Sequence, residues 1–244
     1  MNNSLKKSYI INGSDVDYAK RYTLCALLRH FHDAVDFHAL ELQVDANTVY
    51  EKYGAYWIIS HIRVDMDDTA KWHDVVEVDT YPLAPGAVRM EREAVMTTGG
   101  KPLARLSSEW VLLDNATGRP RRPLQTGYPL SLVHREGRAA GEYTRFSPEF
   151  DDTDFAYGYT VKVSDLDMNV HMNNTAYVRL ACDAFCSSEL DEKRMTSFEI
   201  AFKAQSYEGD ELKLYRASAG ENKYYVSAFK TDGTRVFDTL FTFV

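Results

Sequence analysis

The sequence predicts an α+β chain built twice on one plan, a helix followed by an antiparallel sheet. Two observations predict it. Each half reads strand, helix and then several strands, and a Gly-containing turn joins the last two strands of each half at matching places, 98–101 and 231–234.

In the first half an extended stretch, 8–12, precedes Leu24, Leu27, Leu28, Phe31 and Val35, spaced to form one apolar helical stripe. Strand-like runs follow at 56–64, 75–81, 89–97 and 103–113, and Gly99 and Gly100 mark a hairpin between the last two. In the second half a strand at 157–163 leads to Tyr177, Leu180, Ala181, Ala184 and Phe185, again a helical stripe. Its strands are read at 197–205, 211–218, 223–230 and 235–243, and Gly209-Asp210 echoes His73-Asp74 ahead of a strand. A sheet long enough to wrap a helix buries it on nearly every side, which is the hot-dog plan, here in tandem. Between the halves, Pro120, Pro123, Pro129 and Pro148 break a stretch of little periodicity. The expected division is a first domain at 1–118, a linker at 119–154 and a second domain at 155–244.

With 244 residues, 45% of them hydrophobic, the chain can bury one large or two modest cores without metal or cross-links. Three cysteines, Cys25, Cys182 and Cys186, form neither a disulfide framework nor a zinc pattern and are expected as buried thiols. A net charge of −8 disfavours nucleic acid as partner. The absence of a bilayer-length apolar run or an apolar leader gives a cytoplasmic expectation, with no membrane association.

Asp165, Asp167, Asn169 and His171 recur at every second residue, a spacing that puts all four on one side of an extended segment. Asn173 or Asn174 then supplies an N-cap for the second helix. Thioester hydrolysis needs an activated water and donors for the oxygen that becomes negative. Asp167 and His171 could activate or orient the water, and Asn169 could polarise the carbonyl. The same residues would also suit an Asx-rich turn that merely caps a helix. The run imitates a calcium loop as well, but Val170 stands where Gly is needed and Ala176 where Glu is needed, so no metal is expected.

The run Asp165 to Tyr177, and within it Asp167, Asn169, His171 and Asn174, resembles the Asp-x-Asn-x-His-x-x-Asn signature of the acyl-acyl-carrier-protein thioesterases of plants and bacteria. Trp57, the stretch Trp110 to Asp114 and the stretch Thr117 to Pro123 extend the resemblance across nearly the whole chain. It implies a double hot-dog that hydrolyses fatty acyl thioesters of acyl carrier protein and ends chain elongation, with one active site per pair of domains and no cofactor. It places the catalytic Asp, Asn and His on Asp167, Asn169 and His171. Where many relatives carry a catalytic Glu this chain has Gln205, which cannot act as a base, and Ser206 lies where plant members carry Cys. Gln205 therefore joins the site with an altered role.

Other clusters compete. His30, His32, Asp33, Asp36 and His38 resemble metal ligands but spread around a helix. Asp183, expected on a buried helix, is a candidate base or nucleophile, as helix carboxylates are in related hot-dog thioesterases. Arg119, Arg121 and Arg122 give the linker a local positive charge suited to docking an acidic carrier protein. No Gly-x-Ser-x-Gly, His-Glu-x-x-His or phosphate-loop motif is present. A coenzyme A thioesterase on the same fold and a catalytically silent acyl-binding protein are the alternatives, and a hot-dog dehydratase lacks its signature here. Oligomeric state stays open, a homodimer included.

Overall fold

The computed structural model describes residues 3–129 and 132–244, so residues 130 and 131 of the expected linker lie outside the described residues. The chain forms two compact units, the first ending at Glu142 and the second spanning Tyr143–Val244.

In the first unit, β1 (Leu5–Ile10) leads to α1 (Leu24–Glu41), α2 (Ala46–Tyr53), β2 (Ala55–Met66), β3 (Val75–Pro82), β4 (Arg89–Thr98), β5 (Lys101–Asp114) and the short β6 (Pro120–Arg121). The strands pair antiparallel in the order β1-β3-β4-β5-β2, with β6 on β5. Thr23 caps α1 by accepting the Ala26 N–H at 3.2 Å, and the expected stripe, from Leu24 through Phe31 to Val35, is buried. Gly99 and Gly100 both adopt positive φ, 55° and 76°, the tight turn their spacing predicts. The eight-residue α2 escaped the sequence reading because only Val49 on it is buried, too little to make a stripe; Asp45 caps it and Gly54 ends it at φ 58°.

The stretch read as a linker is held at both ends. After β6, Tyr128 and Leu132 are buried in a cluster with Leu42, Val44, Val49 and Leu112, and residues 139–141 are bonded to strand side chains of the first sheet. The Ala139 N–H donates to Glu93 at 2.6 Å, Ala140 N–H to Ser107 at 3.2 Å, and Gly141 N–H to Asp65 at 2.7 Å. Gly141 sits where a Cβ would come within 3.0 Å of the Arg63 guanidinium, so the chain approaches too closely for a side chain to enter freely. The last part belongs to the second unit, where Thr144 N–H donates to Glu199 at 2.6 Å and Arg235 to the Pro148 carbonyl at 2.9 Å.

In the second unit β7 (Phe155–Thr160) leads to α3 (Asn174–Cys182), α4 (Ser187–Asp191), β8 (Met195–Phe202), β9 (Glu211–Gly220), β10 (Lys223–Lys230) and β11 (Arg235–Phe243), paired antiparallel as β8-β11-β10-β9-β7. Here the expected helix is cut short. Ala184 and Phe185 fell on its stripe, but α3 ends at Cys182, and Phe185 leaves it to pack against Phe241, Phe243 and Tyr224 at centroid distances of 4.9–5.6 Å. Tyr157 donates to the Leu180 carbonyl at 2.6 Å and Arg216 to that of Ala184 at 3.0 Å, satisfying carbonyls that a longer helix would have bonded internally. No described helix is long and apolar enough to cross a membrane.

The repeat extends to individual side chains. Tyr9 and Tyr159, Asp15 and Asp165, Asp17 and Asp167, and Arg29 and Arg179 stand at one constant spacing; in each unit the two aspartates and the arginine build the same turn ahead of the helix, while Tyr159 bonds Asp165 and Tyr9 bonds Asp33.

Glu93 gives this architecture a pH dependence. Burial pushes its carboxyl up to about 7 from an ordinary 4.5, although hydrogen bonds from Ser107 and Ala139 pull the other way. The fold therefore binds this proton more tightly than the unfolded chain does. The associated stabilisation is full below about pH 4.5 and is lost as the pH rises through 7. In denaturant unfolding of the native protein and Glu93→Gln at pH 4.5 and pH 8, the native protein should lose about 2–3 kcal/mol relative to the variant on going to the higher pH.

Candidate active site

The segment that carries the polar residues is a closed turn rather than an extended strand. Val163–Asp165 is a 3-10 turn, and Asp167 N–H then bonds the His171 carbonyl at 2.8 Å while Val170 N–H bonds the Asp167 carbonyl at 3.0 Å. An isolated bridge between Leu166 and Met172 closes the base. The expectation of four side chains on one face fails for a physical reason. Asp and Asn side chains bond nearby backbone N–H groups and offer the chain an alternative to the extended form.

The four residues consequently separate. Asp165 points inward and is buried, accepting from Tyr159 Oη at 2.7 Å, Lys162 N–H at 2.8 Å and Arg179 Nη2 at 2.8 Å. Burial works to raise its pKa, but these bonds and the guanidinium outweigh it and hold the carboxyl below its usual range. Asp165 is an anchor. Asp167 caps its own turn, Oδ1 accepting the Asn169 N–H at 2.8 Å and the His171 N–H at 3.4 Å. Asn169 is exposed and His171 half-buried at the mouth of the turn. Val170 adopts φ 63°, a left-handed conformation that is strained for a β-branched residue.

Asn173, not Asn174, is the N-cap: its Oδ1 accepts the Thr175 N–H at 2.9 Å, and Asn174 is the first residue of α3. The other half of the site comes from the loop after β8. Ser206 is fully buried; its N–H donates to Tyr177 Oη at 2.8 Å and its carbonyl accepts the Met172 N–H at 2.9 Å. This clip fixes the loop to the base of the turn. It brings Tyr207 beside His171: the exposed Tyr207 ring stands edge-on to the imidazole at 5.1 Å, and its hydroxyl bonds Oε1 of the exposed Gln205 at 3.4 Å. Tyr207 thus links the turn of Asp167 and His171 to Gln205. Sequence reasoning missed Tyr207, since nothing in its spacing marks it; only the backbone clip at Ser206 does.

Other candidates lie elsewhere. Asp183 is exposed at the end of α3, 3.3 Å from Arg179, so it is no buried helix carboxylate; the early end of α3 turned it out to solvent. Cys186 is exposed and Cys25 and Cys182 are partly so, correcting the buried thiols. Arg119 and Arg122 are exposed, whereas Arg121 donates to the Tyr53 carbonyl and sits 3.6 Å from Asp114. In the histidine cluster His30 bonds Tyr22 Oη at 2.7 Å, His38 meets Arg92 at 3.0 Å, and Asp33 holds Lys7 at 2.7 Å. Among the described residues no three His, Cys, Asp or Glu side chains are grouped to hold a metal.

The first unit makes the same turn with different side chains. Asp17 N–H bonds the Arg21 carbonyl at 2.9 Å, Lys20 N–H bonds the Asp17 carbonyl at 2.9 Å, and Lys20 takes φ 62° as Val170 takes 63°. Ala19 and Arg21 stand in the places of Asn169 and His171, so the polar set is confined to the second unit. The matched spacing of Asp15, Asp17 and Arg29 with Asp165, Asp167 and Arg179 was the signal that could have revealed this frame.

Comparison with known proteins matches this fold. The architecture is that of tandem hot-dog proteins. An acyl-ACP thioesterase from Bacteroides thetaiotaomicron superimposes with a TM-score of 0.91 at 22% identity, covering 99% of this chain and 98% of that one. The 12:0-ACP thioesterase of Umbellularia californica gives 0.89 at 19% identity, covering 100% and 98%. The acyl-ACP thioesterase N-terminal domain matches residues 2–125 and the C-terminal domain residues 149–236, and the chain belongs to that family. A chloroplastic palmitoyl-acyl carrier protein thioesterase of Arabidopsis thaliana is 26% identical over 69% of this chain and 43% of its own length. A second, from Gossypium hirsutum, is 26% identical over 63% of this chain and 39% of its own length. The chain thus spans about two fifths of these curated relatives.

The geometry separates two neighbouring aspartates by role. Asp165→Asn should cost roughly 2 kcal/mol of stability, because it uncouples a buried carboxylate from its guanidinium and hydroxyl partners. Asp167→Asn should cost less than about 0.5 kcal/mol, since Asn closes an Asx turn equally well. Chemical denaturation of the two variants checks the difference.

Proposed function

We propose that the chain hydrolyses fatty acyl thioesters of acyl carrier protein to free fatty acid and carrier, ending chain elongation. The observation that supports this reading is the Ser206 clip, which ties the loop of Gln205 and Tyr207 to the base of the turn that carries Asp167, Asn169 and His171, with the Tyr207 ring edge-on to His171. Family membership supplies the reaction class.

In this reading His171 is the general base. It takes a proton from a water whose oxygen attacks the thioester carbonyl, and the negative charge passes to the carbonyl oxygen. Asn169, exposed at the tip of the turn, donates to that oxygen. As the tetrahedral intermediate collapses, the C–S bond breaks and the imidazolium returns its proton to the departing thiolate. Asp167 acts through the backbone by fixing the turn, because its Oδ1 is engaged by two N–H groups. Gln205 hydrogen-bonds water or substrate without exchanging a proton. Asn173 and Asn174 contribute the start of α3, and Asp183 takes no part. The acidic carrier protein docks on exposed cations, for which Arg119 and Arg122 remain available while Arg121 is committed to Tyr53 and Asp114.

Gln205 itself favours a second reading, a protein that binds acyl chains without turning them over, since a neutral amide stands where many relatives carry a base. Hydrolysis across a chain-length panel of acyl carrier protein thioesters separates the two. The native protein should turn over, His171→Ala should lose about 100-fold or more, and Gln205→Glu should retain activity. A native protein that binds but does not hydrolyse, and gains activity only with Glu, would establish the silent binder instead; parallel assays on coenzyme A thioesters fix the preferred carrier.

A further inference from the structure

Tyr207 is a large aromatic residue that the fold does not require. It is 47% exposed, so burial does not account for it. The loop that carries it occurs in both units. In the second, Met172 N–H bonds the Ser206 carbonyl at 2.9 Å, Tyr207 N–H bonds Asp210 Oδ2 at 3.0 Å, and Gly209 N–H bonds the Val161 carbonyl at 3.0 Å. In the first, Tyr22 N–H bonds the Ala70 carbonyl at 2.9 Å, Lys71 N–H bonds Asp74 Oδ2 at 2.8 Å, and His73 N–H bonds the Ile11 carbonyl at 3.0 Å. Lys71 holds the place of Tyr207, and the loop closes identically. The ring is therefore there for what it touches.

It touches both halves of the polar set. Its edge-to-face contact with His171, at 5.1 Å and 78°, restricts the rotation of an otherwise half-exposed imidazole. Its hydroxyl lies 3.4 Å from Gln205 Oε1. The ring is steadied in turn by Lys230, whose ammonium sits 5.6 Å from the ring centroid and 2.7 Å from Asp210, the acceptor of the Tyr207 N–H.

We propose that Tyr207 is a positioning residue for the hydrolytic site: its ring orients His171, and its hydroxyl occupies the Gln205 carbonyl oxygen so that the amide presents its NH2 group to the reacting centre. This rests on the hydrolytic reading above. It assigns Gln205 the work of a donor, for the carbonyl oxygen or the attacking water, in place of the base found in relatives.

Two substitutions divide the contributions. Tyr207→Phe keeps the ring and removes the hydroxyl; Tyr207→Leu removes both. With a fatty acyl thioester of acyl carrier protein as substrate, Tyr207→Phe should lower kcat about 3-fold with KM unchanged, and that loss should vanish in a Gln205→Ala background. Tyr207→Leu should lower kcat about 10-fold or more. The NMR resonances of the His171 ring carry the ring current of Tyr207, so they should shift in Tyr207→Leu and stay in place in Tyr207→Phe. Native kcat in Tyr207→Leu, or unmoved His171 resonances in that variant, overturns the proposal. A native protein without hydrolysis would instead defeat the hydrolytic reading, and the resonances would still decide whether Tyr207 holds His171.

Discussion

A carboxylate buried beneath each helix-start turn is the constraint on which the rest depends. Asp165 collects the Tyr159 hydroxyl, the Lys162 N–H and the Arg179 guanidinium, and its own backbone carbonyl accepts the Asn173 N–H at 2.7 Å. One residue thereby joins the end of β7, the turn and the first turn of α3. The buried Asp165 carboxylate would be costly to leave without these donors. The turn above it is built through the same backbone bonds in both units, whatever its exposed side chains are.

The first unit shows that independence. Asp15 is buried like Asp165 and is paired with Arg29, and the turn above it closes through the same backbone bonds. Only the projecting side chains differ, with Ala19, Arg21 and Lys71 where the second unit has Asn169, His171 and Tyr207. A single scaffold is used twice, and the two units differ in the side chains that it presents.

Much of this was legible in the sequence because it rests on local periodicity. The stripe from Leu24 to Val35, the hairpin at Gly99-Gly100 and the alternation of the strands follow from burial on one face and from positive φ. The polar set was found by spacing, yet for a mistaken geometric reason: Asp165 and Asp167 look equivalent in an extended segment and become an anchor and a cap in a turn. Phe185 misled in the same way, since an aromatic plug and a helical stripe make the same demand on composition. What could not be read was anything set by long-range backbone bonds. The Ser206 clip, the seat of Ala139 on Glu93 and the neighbourhood of Tyr207 and His171 join segments whose meeting no periodicity encodes.

Val170 carries an implication of its own. A β-branched residue in the left-handed region costs about 1–2 kcal/mol, and the corresponding position in the first unit is a lysine of the same conformation, so the backbone there is imposed by the turn and not chosen by the residue. The energy is held in check by the bonds of Met172 and Asn173 below it. Once those bonds open, the released strain favours the open form of the turn. A turn with that property opens as a short segment while the strands beneath it stay closed.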